Sequence, residues 1–230
     1  MFKYDLHAHS CECSACAKST VKEMVKAYKR AGYAGFVLTN HFITGNTSVD
    51  RNLPWDEQMR RYWSAVSDMR NYAAKLDIDL LFGLEHYCGG GKEVLIYGID
   101  YDFLVKNSDI PNISVDELAA RVHDYGGFIA HAHPFRIRPY INPTAPNRFD
   151  ICDGIEVYNA ANSSVENDAA ERWNKEYGLV PISGSDCHDA HSRLIGMAGI
   201  EFNRRVRDER TLARLLLERQ GWLIIDGVAR

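Results

Sequence analysis

Seven side chains of metal-ligand type stand at the ends of apolar runs in this 230-residue sequence. His7 and His9 close the run at 4–9. His41 follows 35–39, Glu85 follows 80–84, His133 follows 128–130, and Asp186 and His188 follow 179–183. His7 and His9 are two apart, so on a strand they point to one side. A neutral imidazole suits zinc, iron or manganese, and carboxylates add oxygen donors. His-x-His alone is weak, because most histidines lie at the surface or in satisfied core positions. The whole set, delivered from five strand ends, is enough for two or three divalent ions with positions left open for water.

The elements between these residues alternate. A strand at 4–9 leads into a helix capped by Ser19 or Thr20 and ended by Gly32. Val21, Met24, Val25 and Tyr28 keep helical spacing in it. Strands follow at 35–39, 80–84, 93–97, 128–130, 154–158, 179–183, 197–202 and 222–226. Helices are predicted at 54–76, 114–126, 165–177 and 208–220. Ser114 with Glu117 makes a capping box, and Gly89, Gly90 and Gly91 make a turn. Alternation of this kind calls for parallel strands with right-handed crossovers. Seven or eight strands in this length favour one closed α/β barrel over residues 1–230, with its site at the strands' carboxyl ends.

Bulk properties narrow the class. Apolar content of 46% and charged content of 25% fit a globular protein, and the net charge of −4 gives no general reason to expect nucleic acid. The chain has neither a charged-then-apolar leader nor a run of about 18 apolar residues. Membrane insertion is therefore not expected, and the cytoplasm is the default location. Six cysteines, at 11, 13, 16, 88, 152 and 187, then read as reduced thiols. Cys13 and Cys16 form a lone C-x-x-C extended by Cys11. A zinc or redox role is one reading and thiols that merely line a loop the other.

The ordered motifs Asp5-Leu6-His7-Ala8-His9-Ser10, Thr39-Asn40-His41, Gly83-Leu84-Glu85, Ala132-His133-Pro134-Phe135-Arg136, Gly154-Ile155-Glu156-Val157-Tyr158 and Gly184-Ser185-Asp186-Cys187-His188 resemble the PHP (polymerase and histidinol phosphatase) family. The resemblance runs from residue 4 to about 190. It implies a distorted seven-stranded (βα) TIM-like barrel, up to three metals (commonly zinc, manganese or iron) and phosphoester hydrolysis. It assigns His7, His9, Glu85 and Asp186 to one metal, Glu85 and His133 to a second, and His41 and His188 to a third. Three positions depart from the pattern. Glu93 stands where many relatives have histidine, and a carboxylate there favours a harder metal. The first loop lacks the usual aspartate or histidine for the third metal, and Glu12 is the candidate replacement. Asn40 replaces an aspartate and removes a charge beside the site.

The residues suggest the same chemistry. Divalent cations neutralise an anionic phosphoester and acidify a water. Arg136 is placed to fork two phosphate oxygens. His131, two before His133, is a candidate partner or proton donor to the leaving group. His86 and His191 are candidate pocket residues, and His123 is expected at the surface. The expected substrate is a small phosphorylated molecule or nucleotide, mono- or diester, with long nucleic acid less favoured. An amidohydrolase-like carbon–nitrogen hydrolase and a non-catalytic metal-binding module are the alternatives. The loops at 42–55, 89–91 and 136–150 are expected to set substrate choice.

Overall fold

The computed structural model describes residues 1–230. The chain runs β1 (Phe2–Ala8), α1 (Val21–Arg30), β2 (Gly35–Leu38), α2 (Trp55–Lys75), β3 (Asp79–Gly89) and β4 (Lys92–Tyr97). It continues through α3 (Tyr101–Lys106), α4 (Val115–Asp124), β5 (Phe128–His131), β6 (Gly154–Asn159), α5 (Ser164–Tyr177) and β7 (Val180–Gly184). β8 (Ala198–Phe202), α6 (Glu209–Leu217), β9 (Trp222–Ile225) and β10 (Val228–Ala229) complete it. The caps account for the helix starts. Thr20 and Glu23 form a capping box at α1, and Ser163 and Glu166 form another at α5. At α4 the Ser114 hydroxyl accepts from Glu117 N. α3 and β10 have no counterpart in the periodicity, being too short to carry one.

The α/β class holds, but the sheet differs from an all-parallel barrel. Its ten strands lie in the order β10-β9-β8-β1-β2-β3-β4-β5-β6-β7. β1–β2, β2–β3, β5–β6 and β6–β7 are parallel, whereas β4 runs antiparallel to both β3 and β5. The cause is the short glycine turn at 89–91. Two strands joined by so tight a turn pair antiparallel, because a parallel crossover needs a dozen or more residues. Gly89, Gly90 and Gly91 all have positive φ, which a glycine adopts without strain. β3 consequently extends to Gly89, past the predicted 84.

The sheet curls so that its far end returns to β1. Asp186 N donates to His7 O at 2.8 Å, and His9 N donates to Cys187 O at 2.9 Å. A parallel bridge joins Ala8 and Cys187. β8 occupies the same edge of β1 nearer its start, pairing with Phe2, Lys3 and Tyr4. This shared edge leaves the curl joined only at its carboxyl end.

Side-chain alternation sorts the sheet into two faces. Val37, Leu81, Leu95, Tyr97, Phe128 and Ala130 face the interior of the curl, where Leu212, Leu215 and Leu216 of α6 close it. Phe36, Leu38, Phe82, Leu84, Ile96 and Ile129 face the helices, against Met24 and Tyr28 of α1 and Met59 and Tyr62 of α2. Glu85 shares the side of Leu81, and Glu93 the side of Leu95, so both carboxylates turn inward. His131 shares the side of Ile129. It is fully buried with its ring 5.0 Å from that of Phe149.

Burial pushes His131 down to about 3, and its Nδ1–H donates to Ala132 O at 3.0 Å. The unfolded chain has an ordinary histidine of about 6.5. Below that pH the unfolded state takes up a proton that the folded state refuses, so stability falls as pH drops from about 6.5 towards 3. His131→Leu removes this loss. Its stability relative to wild type should rise by up to about 1.4 kcal/mol per pH unit across that window. Urea unfolding at three pH values reads the difference, and a difference that does not change with pH contradicts a neutral buried imidazole.

Candidate metal centre

Glu85, at 1% exposure, is the centre of the site. Its Oε1 lies 3.0 Å from His133 Nε2 and 3.3 Å from His7 Nε2. Its Oε2 lies 2.8 Å from His41 Nδ1 and 3.4 Å from His9 Nε2. Asp186 Oδ1 faces His9 Nε2 at 3.3 Å and His7 Nε2 at 3.5 Å. Glu93 offers Oε1 at 3.4 Å from His41 Nδ1 and Oε2 at 3.7 Å from His133 Nε2. His188 stacks on His9, with ring centroids 4.1 Å apart.

These spacings fit shared cations. Ligand atoms about 2.1 Å from one ion stand about 3.0–3.5 Å from each other. His7 Nε2 and His9 Nε2 are 3.1 Å apart and face the same carboxylates. His41 Nδ1 and Glu85 Oε2 are buried, close, and without a hydrogen-bond partner. Four overlapping sets place their ligand atoms within 4.8 Å of one another: His7, His9 and Glu85; His7, His133 and Asp186; His41, Glu85 and Glu93; His9, His41 and His188.

Three of the imidazoles are aimed by their other nitrogen. His7 Nδ1 bonds Glu156 Oε1 at 3.0 Å, His9 Nδ1 bonds Ser14 Oγ at 3.1 Å, and His188 Nδ1 bonds Asp186 O at 2.9 Å. Glu156 also accepts from His133 N and from Asn159 Nδ2 through Oε2, both at 2.9 Å. Gly184 leaves room for this pair, since a Cβ there would lie 2.4 Å from His7 Cβ and 2.6 Å from Glu156 Oε1. Asp5 ties the strand end beneath. It accepts from His7 N and Ser185 N, both at 3.0 Å, and from Tyr28 OH at 2.8 Å. Asn40 explains its own departure from aspartate. Its Oδ1 accepts from Ser10 N and Ser14 Oγ while its Nδ2 donates to Ser10 Oγ, which a carboxylate cannot do.

The electrostatics are those of a crowded cluster. Burial lowers His7, but Glu156, Asp186 and Glu85 outweigh it and hold the imidazole well above its ordinary value. Burial lowers His9, and His188 and His41 press it lower still. Burial raises Glu85, yet the charges of His7 and His41 keep it well below the usual carboxylate range. The same holds for Asp186, where His7 and Arg136 outweigh burial. His133 and Asp186 have φ of 27° and 54°. Positive φ in non-glycine residues is stored strain, of the kind found at functional sites.

The structure places several sequence candidates elsewhere. Glu12 turns away from the cluster, and its exposed carboxylate accepts from Val21 N at 2.9 Å at the start of α1. His131 does not share the side of His133, because the chain leaves the strand after His131 and the positive φ of His133 reverses the alternation. His86 is buried against Thr44 Oγ1 at 3.2 Å, and His191 is exposed on the loop after β7. His123 pairs with Asp153 at 3.0 Å. Arg136 lines the cavity but is a clamp within the protein. Its Nη1 bonds Asp186 Oδ2 at 2.6 Å, its Nε bonds Asn162 at 2.7 Å and its Nη2 bonds Asn159 at 3.0 Å. Glu156 was quoted in a motif without a role. Nothing in the sequence signals a partner 149 positions away.

Above the cluster is a cavity of about 620 Å³, lined by His41, Glu85, Glu93, His133, Arg136, Asp186 and His188. Thr44, Gly45 and Asn46 reach it from the first of the predicted loops, Gly91 from the second and Tyr140 from the third. Cys16 completes the rim beside His41 and His188. No helix is long and apolar enough to cross a membrane.

The PHP domain model matches residues 5–179, and a PHP-associated model matches 165–220. No curated protein matches the chain. Among solved structures, a two-domain protein from Bacteroides vulgatus containing a predicted PHP-like metal-dependent phosphoesterase is 17% identical, with TM-score 0.70. The alignment covers 99% of this chain but 66% of that one, so the chain spans a little under two thirds of that protein's length. An amidohydrolase from Chromobacterium violaceum, with bound sulfate and no metal, is 16% identical over 98% of both chains, with TM-score 0.57. Endonuclease Q, in complex with a 27-mer duplex substrate carrying an abasic lesion, is 13% identical over 94% of this chain and 56% of its own, with TM-score 0.62. At these identities the likeness is one of fold. The family-model match covers most of the sequence, and the chain belongs to the PHP domain family.

Proposed function

We propose that this PHP domain is a metal-dependent phosphoesterase hydrolysing a mono- or diester of a small molecule or nucleotide. One observation carries the reading: the two oxygens of Glu85 stand within 3.4 Å of four imidazole nitrogens, those of His7, His9, His41 and His133, so one buried carboxylate adjoins every proposed ion position. His7, His9, Glu85 and Asp186 would hold one ion, Glu85, Glu93 and His133 a second, and His41 with His188 a third. Zinc, manganese and iron all suit such mixed nitrogen and oxygen donors. When bound, the ions supply charge neutralisation and a more acidic water.

The chain's own groups prepare that chemistry. Glu156 holds the proton of His7 on Nδ1, and Ser14 holds that of His9 on Nδ1, so each Nε2 lone pair faces inward. Arg136 fixes Asp186 and brings positive charge to the cavity wall, where a phosphoryl oxygen gains from it. The loops bearing Asn46, Gly91 and Tyr140 bound the space for the remainder of the substrate. The amidohydrolase neighbour keeps a carbon–nitrogen bond as the second reading. The Arg136 cation on the cavity wall, which suits an anionic phosphoryl group, leaves the phosphoester ahead. The endonuclease neighbour keeps a diester within the first reading, and nucleic acid is not set aside.

The deciding experiment is metal content per chain, on protein purified without chelator, paired with turnover of a generic aryl phosphomonoester, a phosphodiester and an amide panel. Two or three ions with chelator-sensitive ester cleavage are expected. Bound metal with no turnover of any ester or amide would place the non-catalytic reading first, and absence of metal, with no rescue by manganese or zinc, would remove the metal centre itself. Cleavage of amides alone would transfer the centre to carbon–nitrogen chemistry.

Glu85→Ala should lose metal and turnover together; full metal content in that variant would remove the bridge. Arg136→Ala should lower metal content as well as raise KM, because Asp186 loses the cation that holds it. An unchanged metal content there would restore Arg136 to a purely substrate-facing role.

Glu156→Gln should weaken ion affinity by about 10–100-fold with the fold intact. The amide NH2 must oppose either His7 Nδ1–H or the two N–H groups now bonded to Oε2. Gly184→Ala should do the same by displacing His7 from Glu156. Calorimetric titration of apo protein reads both, and wild-type affinity in either variant would separate Glu156 from the centre.

A further inference from the structure

The first loop carries three thiols and one carboxylate, and the structure sends them in different directions. Glu12 turns to Val21 N. The Cys13 thiol is buried and donates to Arg61 O at 3.6 Å. Cys11 is exposed, with its thiol 4.0 Å from Glu12. Cys16 alone of the three lines the cavity, with its thiol beside the rings of His41 and His188. A disulfide with Cys13 is not made, and both are free thiols.

The position of Cys16 is held from both sides. Ala15 N donates to Asn46 O at 3.0 Å, and Lys18 N donates to His188 O at 2.8 Å. Ser14 bridges to Thr47 across the next loop and also accepts from His9 and His41 N. The backbone around Cys16 is therefore fastened to the segments that carry the neighbouring histidines.

The partners are already assembled there. His9, His41 and His188 have ligand nitrogens within 4.8 Å of one another. His188 spends Nδ1 on Asp186 O, which leaves Nε2 for the cavity. Glu85 Oε2, buried and without a hydrogen-bond partner, points into the same space between His9 and His41. With His9 Nε2 given to the neighbouring ion, the nitrogens of His41 and His188 and the unsatisfied carboxylate oxygen describe a cation position that lacks a donor on its outer side.

We propose that Cys16 supplies that donor, as a thiolate ligand to the ion held by His41 and His188. The assignment rests on the metal-centre reading above. Glu12 is thereby replaced as the first-loop ligand. A nitrogen and sulfur donor set selects a borderline or soft ion such as zinc, cobalt or ferrous iron, over magnesium or calcium. Binding takes the proton from the thiol to solvent, and no redox step is involved.

Cobalt(II) titration of metal-free protein tests this without reference to turnover. Bound cobalt gives visible ligand-field bands whatever its donors, and a thiolate ligand adds a near-ultraviolet charge-transfer band. The expected result is both bands in wild type, with loss of the charge-transfer band alone in Cys16→Ser. Zinc should also protect Cys16 from alkylation in peptide mapping, while Cys11, exposed in the same loop, stays reactive as the internal control. Ligand-field bands without a charge-transfer band overturn the thiolate and leave the metal centre standing. So does a charge-transfer band that survives in Cys16→Ser. Equal alkylation of Cys16 with and without zinc overturns it as well. No cobalt uptake at all removes the metal centre and the thiolate together. Cys16 sits at an exposed rim outside any helix or strand, so the serine variant is expected to fold, and its circular dichroism should match wild type.

Discussion

A carboxylate buried among four imidazoles sets the terms for the rest of the molecule. An ionised Glu85 at 1% exposure costs several kcal/mol in desolvation unless positive charge stands beside it. His7 and His41 stand beside it, and the neighbouring carboxylates hold both imidazoles well above the usual histidine range. The cluster cannot protonate throughout, because His9 lies against His41 and His188 and is pressed well down. Protons and divalent ions therefore compete for one set of lone pairs, and ion binding releases protons. Glu156 and Ser14 settle that competition locally. Each takes the outer nitrogen of its histidine as a hydrogen-bond donor, so that the inner Nε2 is the nitrogen that proton and ion contest.

The curl of the sheet is what makes this burial feasible. Five strand ends converge only because the turn after β7 docks on β1 through backbone bonds at His7, Asp186, His9 and Cys187. The docking sets Asp186 and His188 against His7 and His9, and Asp5 reinforces it from below. The antiparallel β3–β4 hairpin has a second consequence. It turns Glu93 back towards Glu85 from a neighbouring strand, so two carboxylates share one wall. The strain at His133 and Asp186 falls at the two places where the chain must leave a strand and still point its side chain inward.

Most of the cluster was legible because strand ends obey a simple rule. A polar residue that closes an apolar run stands at the sheet's rim, and in a curled parallel sheet the rims converge. The rule found His7, His9, His41, Glu85, His133, Asp186 and His188. It misled at His131, where alternation was carried two residues past the end of the strand into a left-handed turn. The first loop was not legible at all. Nothing periodic distinguishes Glu12 from Cys16, and their directions depend on backbone bonds to Asn46 and His188, far away in sequence. Arg136 was found as a cavity residue, but its hold on Asp186 through Nη1, 50 positions away, could not be read from the sequence. The antiparallel β4 could have been read from the glycine turn, had loop length been weighed against the expectation of crossovers.

The donors are not evenly mixed across the centre. At one end Glu85 and Glu93 give oxygen-rich surroundings to His133. At the other, His9, His41 and His188 give nitrogen, with the Cys16 thiol adjoining. Hard and soft donors thus lie on opposite sides of Glu85. In the proposed metal centre, ions of different character would prefer the two ends, because carboxylate suits manganese and thiolate suits zinc. The loops that carry Gly91 and Tyr140 lie outside this gradient, whereas the Asn46 loop also holds Cys16 in place through Ala15 N. Under the proposed hydrolysis, substrate selectivity could change by altering the loops of Gly91 and Tyr140, while the strand ends keep the charge arrangement around Glu85.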